Sequence, residues 1–151
     1  MHPVLQPTID RLTYLCNTIP AMLKIISDKD FSHKPAPDKW SKKEILGHLI
    51  DSAANNHQRF VRVQFEDTPF IIYNQDNWNS FSHHQDIQSG QVITFWELYN
   101  RYLLEIIKRI PPGLLQRKCR TNESSDVTLQ WIIEDYVVHM EHHLHEIVNY
   151  V

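Results

Sequence analysis

Apolar residues recur at helical spacing along most of this chain, and only three glycines interrupt 151 residues. A period of 3.6 with so little turn-forming glycine argues for helices packed on helices rather than for a sheet. Leu5, Ile9, Leu12, Leu15, Cys16 and Ile19 form a first stripe, continued by Met22, Leu23 and Ile26. Pro20 lies inside it and predicts a kink or a break into two helices. "HKPAPDKW" reads as a connection. Ser41 and Glu44 have capping-box spacing, which starts a second helix that ends near Glu66. Residues 67–90 form a long connection, and connections of that length are often functional. Phe70, Ile71, Ile72, Tyr73, Trp78 and Phe81 within it demand burial and argue against disorder. A third helix is predicted over 91–110, with Thr94 and Glu97 as its capping pair and "PPG" at 111–113 as its stop. Residues 114–127 make a second connection, and a fourth helix runs from Thr128 to the end. The expectation is an all-α, antiparallel-type four-helix bundle with long crossover connections, in a single domain spanning 1–151.

Charge and composition exclude several classes. The net charge is −3, and no run of like charge offers a footprint for nucleic acid or an anionic membrane. No apolar stretch is long enough to span a bilayer, and "MHPVLQPTIDRL" lacks the pattern of a secretory signal. Cys16 and Cys119 fit no zinc or redox spacing and read as reduced thiols of a cytoplasmic protein.

"YVVHMEHHLHEI", residues 136–147, places four histidines within seven positions. The apolar stripe of the fourth helix runs through Leu129, Ile132, Ile133, Tyr136, Met140, Leu144, Ile147 and Val151. His139 and His143 lie on or beside it, one turn apart and about 40° from each other in direction. Their rings can converge on one point, as two ligands from one helix must. His142 and His145 point elsewhere and read as surface residues. Two buried imidazoles need partners, and a zinc-like site needs at least three protein ligands. His48, on the polar–apolar boundary of the second helix, offers the third. Asp51, Ser52, Asn55 and Arg59 follow on the same side, with Asn55 and Arg59 within about 20° of His48. That row is either a solvated flank or the wall of a pocket. Tyr73 and Trp78 could fold over such a site as a lid, or pack beneath the long loop. Trp40, Trp96 and Trp131 read as core or helix-end packing. No H-E-x-x-H, E-x-x-H or G-x-S-x-G is present, which argues against a zincin protease, a di-iron carboxylate bundle and a serine hydrolase.

The ordered set "KWSKKEILGHLIDSAANNHQRF", "FIIYNQDNW" and "HMEHHLHEI" resembles the DinB-like superfamily of metal-binding bundles, and most nearly its YfiT-like branch of metal-dependent hydrolases and bacillithiol S-transferase relatives. The resemblance covers most of the chain. It implies an up-down-down-up bundle, a homodimer, and a divalent metal held by His48, His139 and His143. Three neutral imidazoles leave the ion its full charge and an open position, the pattern of a catalytic site. Such an ion activates a water for hydrolysis or a low-molecular-weight thiol for S-transfer to a small-molecule substrate. Zinc or nickel is favoured, with manganese or iron as further options. Asp135 and Glu44, each one turn before a ligand, are candidate outer partners. Asp51, Asn55, Arg59, Tyr73 and Trp78 are the candidate substrate pocket. Three departures from the branch stand out: Ile72, Tyr73, Asn74 and Gln75 where a proline–tyrosine–acid–acid run is common; Val138 where an aromatic often precedes the first helix-four histidine; and Glu146 where a further histidine can stand. The alternative is a non-catalytic metal-binding or interaction module whose metal is structural or absent.

Overall fold

The computed structural model describes residues 3–151. Six helices and one hairpin follow in order: α1 Gln6–Lys24, α2 Asp28–Phe31, α3 Lys42–Arg62, α4 Gln75–Ser82, α5 Ser89–Arg109, β1 Lys118–Arg120, β2 Asp126–Thr128 and α6 Leu129–Leu144. The four long helices make the bundle. α1 packs against α5 and α6, and so does α3, which sets α1 and α3 on a diagonal. His48 near the start of α3 meets His143 near the end of α6, with ring centroids 4.8 Å apart, and Phe60 near the end of α3 meets Tyr136 earlier in α6 at 5.5 Å, so these two helices are antiparallel. Lys43 at the start of α3 shares a cleft with Ser89 and Gly90 at the start of α5, so α3 and α5 run the same way. Ser89 also donates to Asp28, just past the end of α1, which makes α1 and α5 antiparallel. The bundle is therefore up-down-down-up.

α1 runs through Pro20 without a break. Proline leaves the carbonyl four residues earlier without its helical donor. That carbonyl, on Cys16, accepts from Arg101 Nη2 of α5 at 2.9 Å instead. The buried stripe Leu12, Leu15, Cys16, Ile19 and Leu23 continues across the proline, each wholly shielded from solvent. Burying one such leucine contributes about 2 kcal/mol.

Ser41 and Glu44 form the expected capping box: Glu44 N–H donates to Ser41 Oγ, and Ser41 N–H to Glu44 Oε1, each at 3.0 Å. Two connections hold more structure than their sequences suggest. Within 67–90, Asn74 caps α4 by accepting from Asn77 N–H at 2.9 Å. His83 then closes α4 in the left-handed region, with φ of 56°. α5 begins at Ser89, earlier than predicted, and its N-cap Gln88 makes no side-chain cap bond. Thr94 and Glu97 thus lie inside the helix, where Glu97 pairs with Arg101 at 2.9 Å. Within 114–127, β1 and β2 pair antiparallel with Cys119 opposite Val127. The long connection is stitched to this hairpin, with Ile71 N–H on Arg120 O at 3.0 Å and Arg120 N–H on Pro69 O at 2.9 Å. α6 is capped by Thr128 and ends at Leu144, several residues before the chain does. No described helix is long and apolar enough to cross a membrane.

Candidate metal centre

The capped start of α3 carries His48 on its second turn, facing α6, with no solvent exposure. α6 presents His139 and His143 one turn apart, both half-buried. His48 Nε2 and His139 Nε2 are 3.3 Å apart. One nitrogen from each of the three rings lies within 4.8 Å of the others. Two nitrogens each about 2.05 Å from a tetrahedral ion are about 3.3 Å apart, so the His48–His139 spacing fits a shared metal. The Trp40 ring lies over His48, with centroids 5.1 Å apart.

The electrostatics agree. Burial, reinforced by the neighbouring histidines, pushes His48 down to about 3 and His139 down to about 4. Both rings are therefore neutral at pH 7, the form that donates a lone pair to a metal. His143 Nδ1 lies 2.7 Å from Glu146 Oε1. A carboxylate only accepts, so Nδ1 carries the proton and Nε2 is left free as a donor atom. His48 Nδ1 is buried with no hydrogen-bond partner.

The triad stands between two cavities. The outer, of about 660 Å³, is lined by Trp40, His143 and Glu146 with Lys39, Lys42 and Asp76. The inner, of about 200 Å³, is lined by His139 with Ser52, Asn56, Arg59, Tyr73 and Asp135. Burial raises the Tyr73 phenol above its ordinary range, so it is a neutral donor there.

Of the pocket residues read from sequence, Arg59 and Tyr73 line the inner cavity, whereas Asp51, Asn55 and Trp78 line neither cavity. Asp51 is buried against His84, whose Nε2 lies 3.1 and 3.0 Å from its two oxygens. Asn55 turns back on its own helix, donating to Asp51 O at 2.9 Å. Trp78 is substantially exposed and meets Tyr73 edge-on, 6.0 Å between centroids. Glu44 is spent on the capping box and on Lys34, 2.7 Å away, and does not reach His48. Asp135 lines the inner cavity without a hydrogen bond to His139. His142 and His145 are exposed, the latter stacked on Tyr150. Trp96 is core, while Trp131 is half-exposed at the first turn of α6.

Two contributors escaped the sequence reading. Glu146 supports His143 from three residues on, a spacing that brings side chains together on a helix or the turn that ends it. His84 escaped because its partner lies 33 residues away. A signal existed in Gly47: a helix-interior glycine often marks a close approach. A Cβ built there would come within 2.2 Å of the His84 ring.

The family model of the DinB superfamily matches residues 11–147. The Bacillus subtilis (strain 168) protein named "Putative metal-dependent hydrolase YfiT" is 23% identical over 147 residues, spanning 93% of this chain and 82% of that one. A Bacillus mycoides (strain KBAB4) protein also named as a "Putative metal-dependent hydrolase" is 20% identical over 147 residues, spanning 97% and 84%. The solved structure of Bacillus subtilis YfiT, described as having "an unusual four-helix bundle topology", superposes with a TM-score of 0.79 at 19% identity, over 94% of this chain and 85% of that one. A DinB-like protein of Bacillus subtilis, YjoA, superposes at 0.62 with 15% identity, over 94% and 87%.

Proposed function

Because the chain belongs to the DinB superfamily and gathers three imidazoles at one point, we propose that it is a metal-dependent enzyme, a hydrolase or thiol S-transferase acting on a small molecule. The observation that carries this reading is the convergence of His48, His139 and His143 between two cavities. These three residues are the metal ligands. A bound divalent ion, zinc or nickel in first place, supplies Lewis acidity that activates a water or a thiol. The chain's own groups do the rest. Glu146 fixes the His143 ring, Trp40 shields His48 from water, and the outer cleft sets Lys39 and Lys42 among the carboxylates of Asp30, Asp38 and Asp76. Tyr73 offers a proton from the inner side.

The S-transfer reading draws on the two cavities. An outer cleft of about 660 Å³ has room for a peptide-sized low-molecular-weight thiol, and the inner cavity has room for a small electrophile. Hydrolysis needs only one of them. The setting we infer is a cytoplasmic, single-domain homodimer. Phe95, Leu98 and Tyr102 support the dimer, because they expose 49%, 58% and 59% of their surface along one face of α5.

The test is a panel of small thiols with electrophiles, run beside ester and amide hydrolysis, on metal-loaded protein with and without chelator. We expect turnover in one arm, abolished by chelator and by His143→Ala while the bundle stays folded. Turnover that survives both treatments would rule the metal out of the reaction.

A further inference from the structure

The inner cavity holds a cation that, among the described residues, has no carboxylate in ion-pair contact. Arg59 of α3 donates from Nη1 to Asn56 Oδ1 at 3.2 Å and from Nη2 to Ile71 O at 2.8 Å. Both acceptors are neutral, and Nε is buried with no partner at all. Among the described residues no carboxylate pairs with this guanidinium. Two of its five N–H groups are spent, which leaves three. A half-buried charge in this state lacks the compensation that buried charges ordinarily have. Burial also pulls its pKa down from the ordinary arginine value, the direction expected of a cation short of a partner. The guanidinium nevertheless stays charged at neutral pH.

The surroundings specify what would complete it. Ser52, Asn56, Tyr73 and Thr121 line the cavity with hydroxyls and an amide, while Ile132, Tyr136 and Trp131 give it an apolar wall. The exposed Asp135 stands on the α6 side, near enough for its charge to act on Arg59 but not in ion-pair contact with it. A volume of about 200 Å³ corresponds to about seven waters, or a ligand of about six to nine non-hydrogen atoms. A planar guanidinium recognises a planar carboxylate with two parallel hydrogen bonds. His139 lines the same cavity.

We propose that this inner cavity is a carboxylate subsite, in which Arg59 holds the anionic end of a small substrate whose other end extends toward His139. The assignment rests on the enzymatic reading above for its biological meaning, but carboxylate binding itself needs no metal. It narrows the substrate class to short organic acids carrying a reactive group away from the carboxylate.

The probes are butanoate and butanamide, equal in size and different in charge. Each is titrated into metal-loaded and chelator-stripped protein while the Arg59 Nε–H signal is followed by NMR. We expect butanoate to bind about tenfold more tightly than butanamide in both forms. Arg59→Gln should erase that preference. Because Arg59 also tethers Ile71, a second variant guards against a folding artefact. Asp135→Asn removes the opposing charge, breaks no hydrogen bond seen in the structure, and should tighten butanoate about threefold without changing butanamide. Equal binding of the two probes, absence of binding at tens of millimolar, or an Asp135→Asn variant with unaltered preference would each overturn the subsite. Metal uptake is followed in the same samples. Its absence with the butanoate preference intact would sink the metal reading and leave the subsite standing, and the reverse would sink the subsite alone.

Discussion

Replacing Gly47 by alanine should destabilise the protein, although the same change in an exposed helix stabilises by about 1 kcal/mol. The new methyl would stand 2.2 Å from His84 Cγ, 2.3 Å from Cδ2 and 2.7 Å from Nδ1. Ordinary contact needs about 3.5 Å, so the ring must retreat by about 1 Å. It cannot do so freely, because His84 is 5% exposed and sits 3.0 Å from the buried Asp51 carboxylate. Retreat strains the packing, at about 1–3 kcal/mol, and weakens a buried hydrogen bond to a charged group, at about 1.5–3 kcal/mol. Set against the helix gain, the net loss is about 3 kcal/mol, or a fall in Tm of about 6–12 °C for a chain of this size. Urea unfolding of chelator-treated protein measures it without a metal contribution. The decisive control is the same substitution in His84→Ala protein, where the obstacle is gone and alanine should be neutral or stabilising by up to about 1 kcal/mol. A Gly47→Ala protein as stable as wild type, or a double variant showing the same loss, would refute the close-approach account.

Metal-free protein should lose stability as pH falls. His48 and His139 are pushed down to about 3 and 4, so below about 6.5 the unfolded chain takes up protons first. Their contribution is complete above that pH and declines on acidification by up to about 1.4 kcal/mol per unit for each ring, and a flat urea-midpoint profile down to about pH 4.5 would contradict it. Arg101→Met should cost about 1–2 kcal/mol more in the wild-type chain than in a Pro20→Ala background, because only the proline leaves the Cys16 carbonyl dependent on Arg101; denaturation of the four proteins measures that coupling. Glu146→Gln should weaken metal binding by about 10- to 100-fold by removing the carboxylate that fixes the His143 ring, and a competition titration with a chromogenic chelator reads this directly.

The long amphipathic stretches were legible because helical periodicity is local. The Ser41–Glu44 cap, the core stripe of α1 and the one-turn pairing of His139 with His143 all follow from spacing of four residues or fewer. Partners distant in sequence were not legible. The uninterrupted α1 depends on Arg101, 85 residues from the carbonyl that Pro20 strands. Asp51 reads as a pocket residue on a helical wheel, yet His84 claims it from another segment. The α4 helix and the β1–β2 hairpin are too short to carry a periodic signal, and tertiary contacts fix both. The cap of α5 is not legible, because Thr94 and Glu97 have cap spacing by chance inside a helix that already begins at Ser89. Arg59 and Tyr73 do reach a cavity, but that depends on the 67–74 segment folding back onto α3, where Ile71 O meets Arg59.

The most direct test is metal stoichiometry. Gently purified protein, analysed by elemental mass spectrometry after exhaustive dialysis, should carry one divalent ion per chain. His48→Ala, His139→Ala and His143→Ala should each lose it while keeping the helical signature of the bundle. Wild-type protein that takes up no ion when zinc or nickel is supplied, or a triple histidine variant that retains the same stoichiometry, would contradict the account.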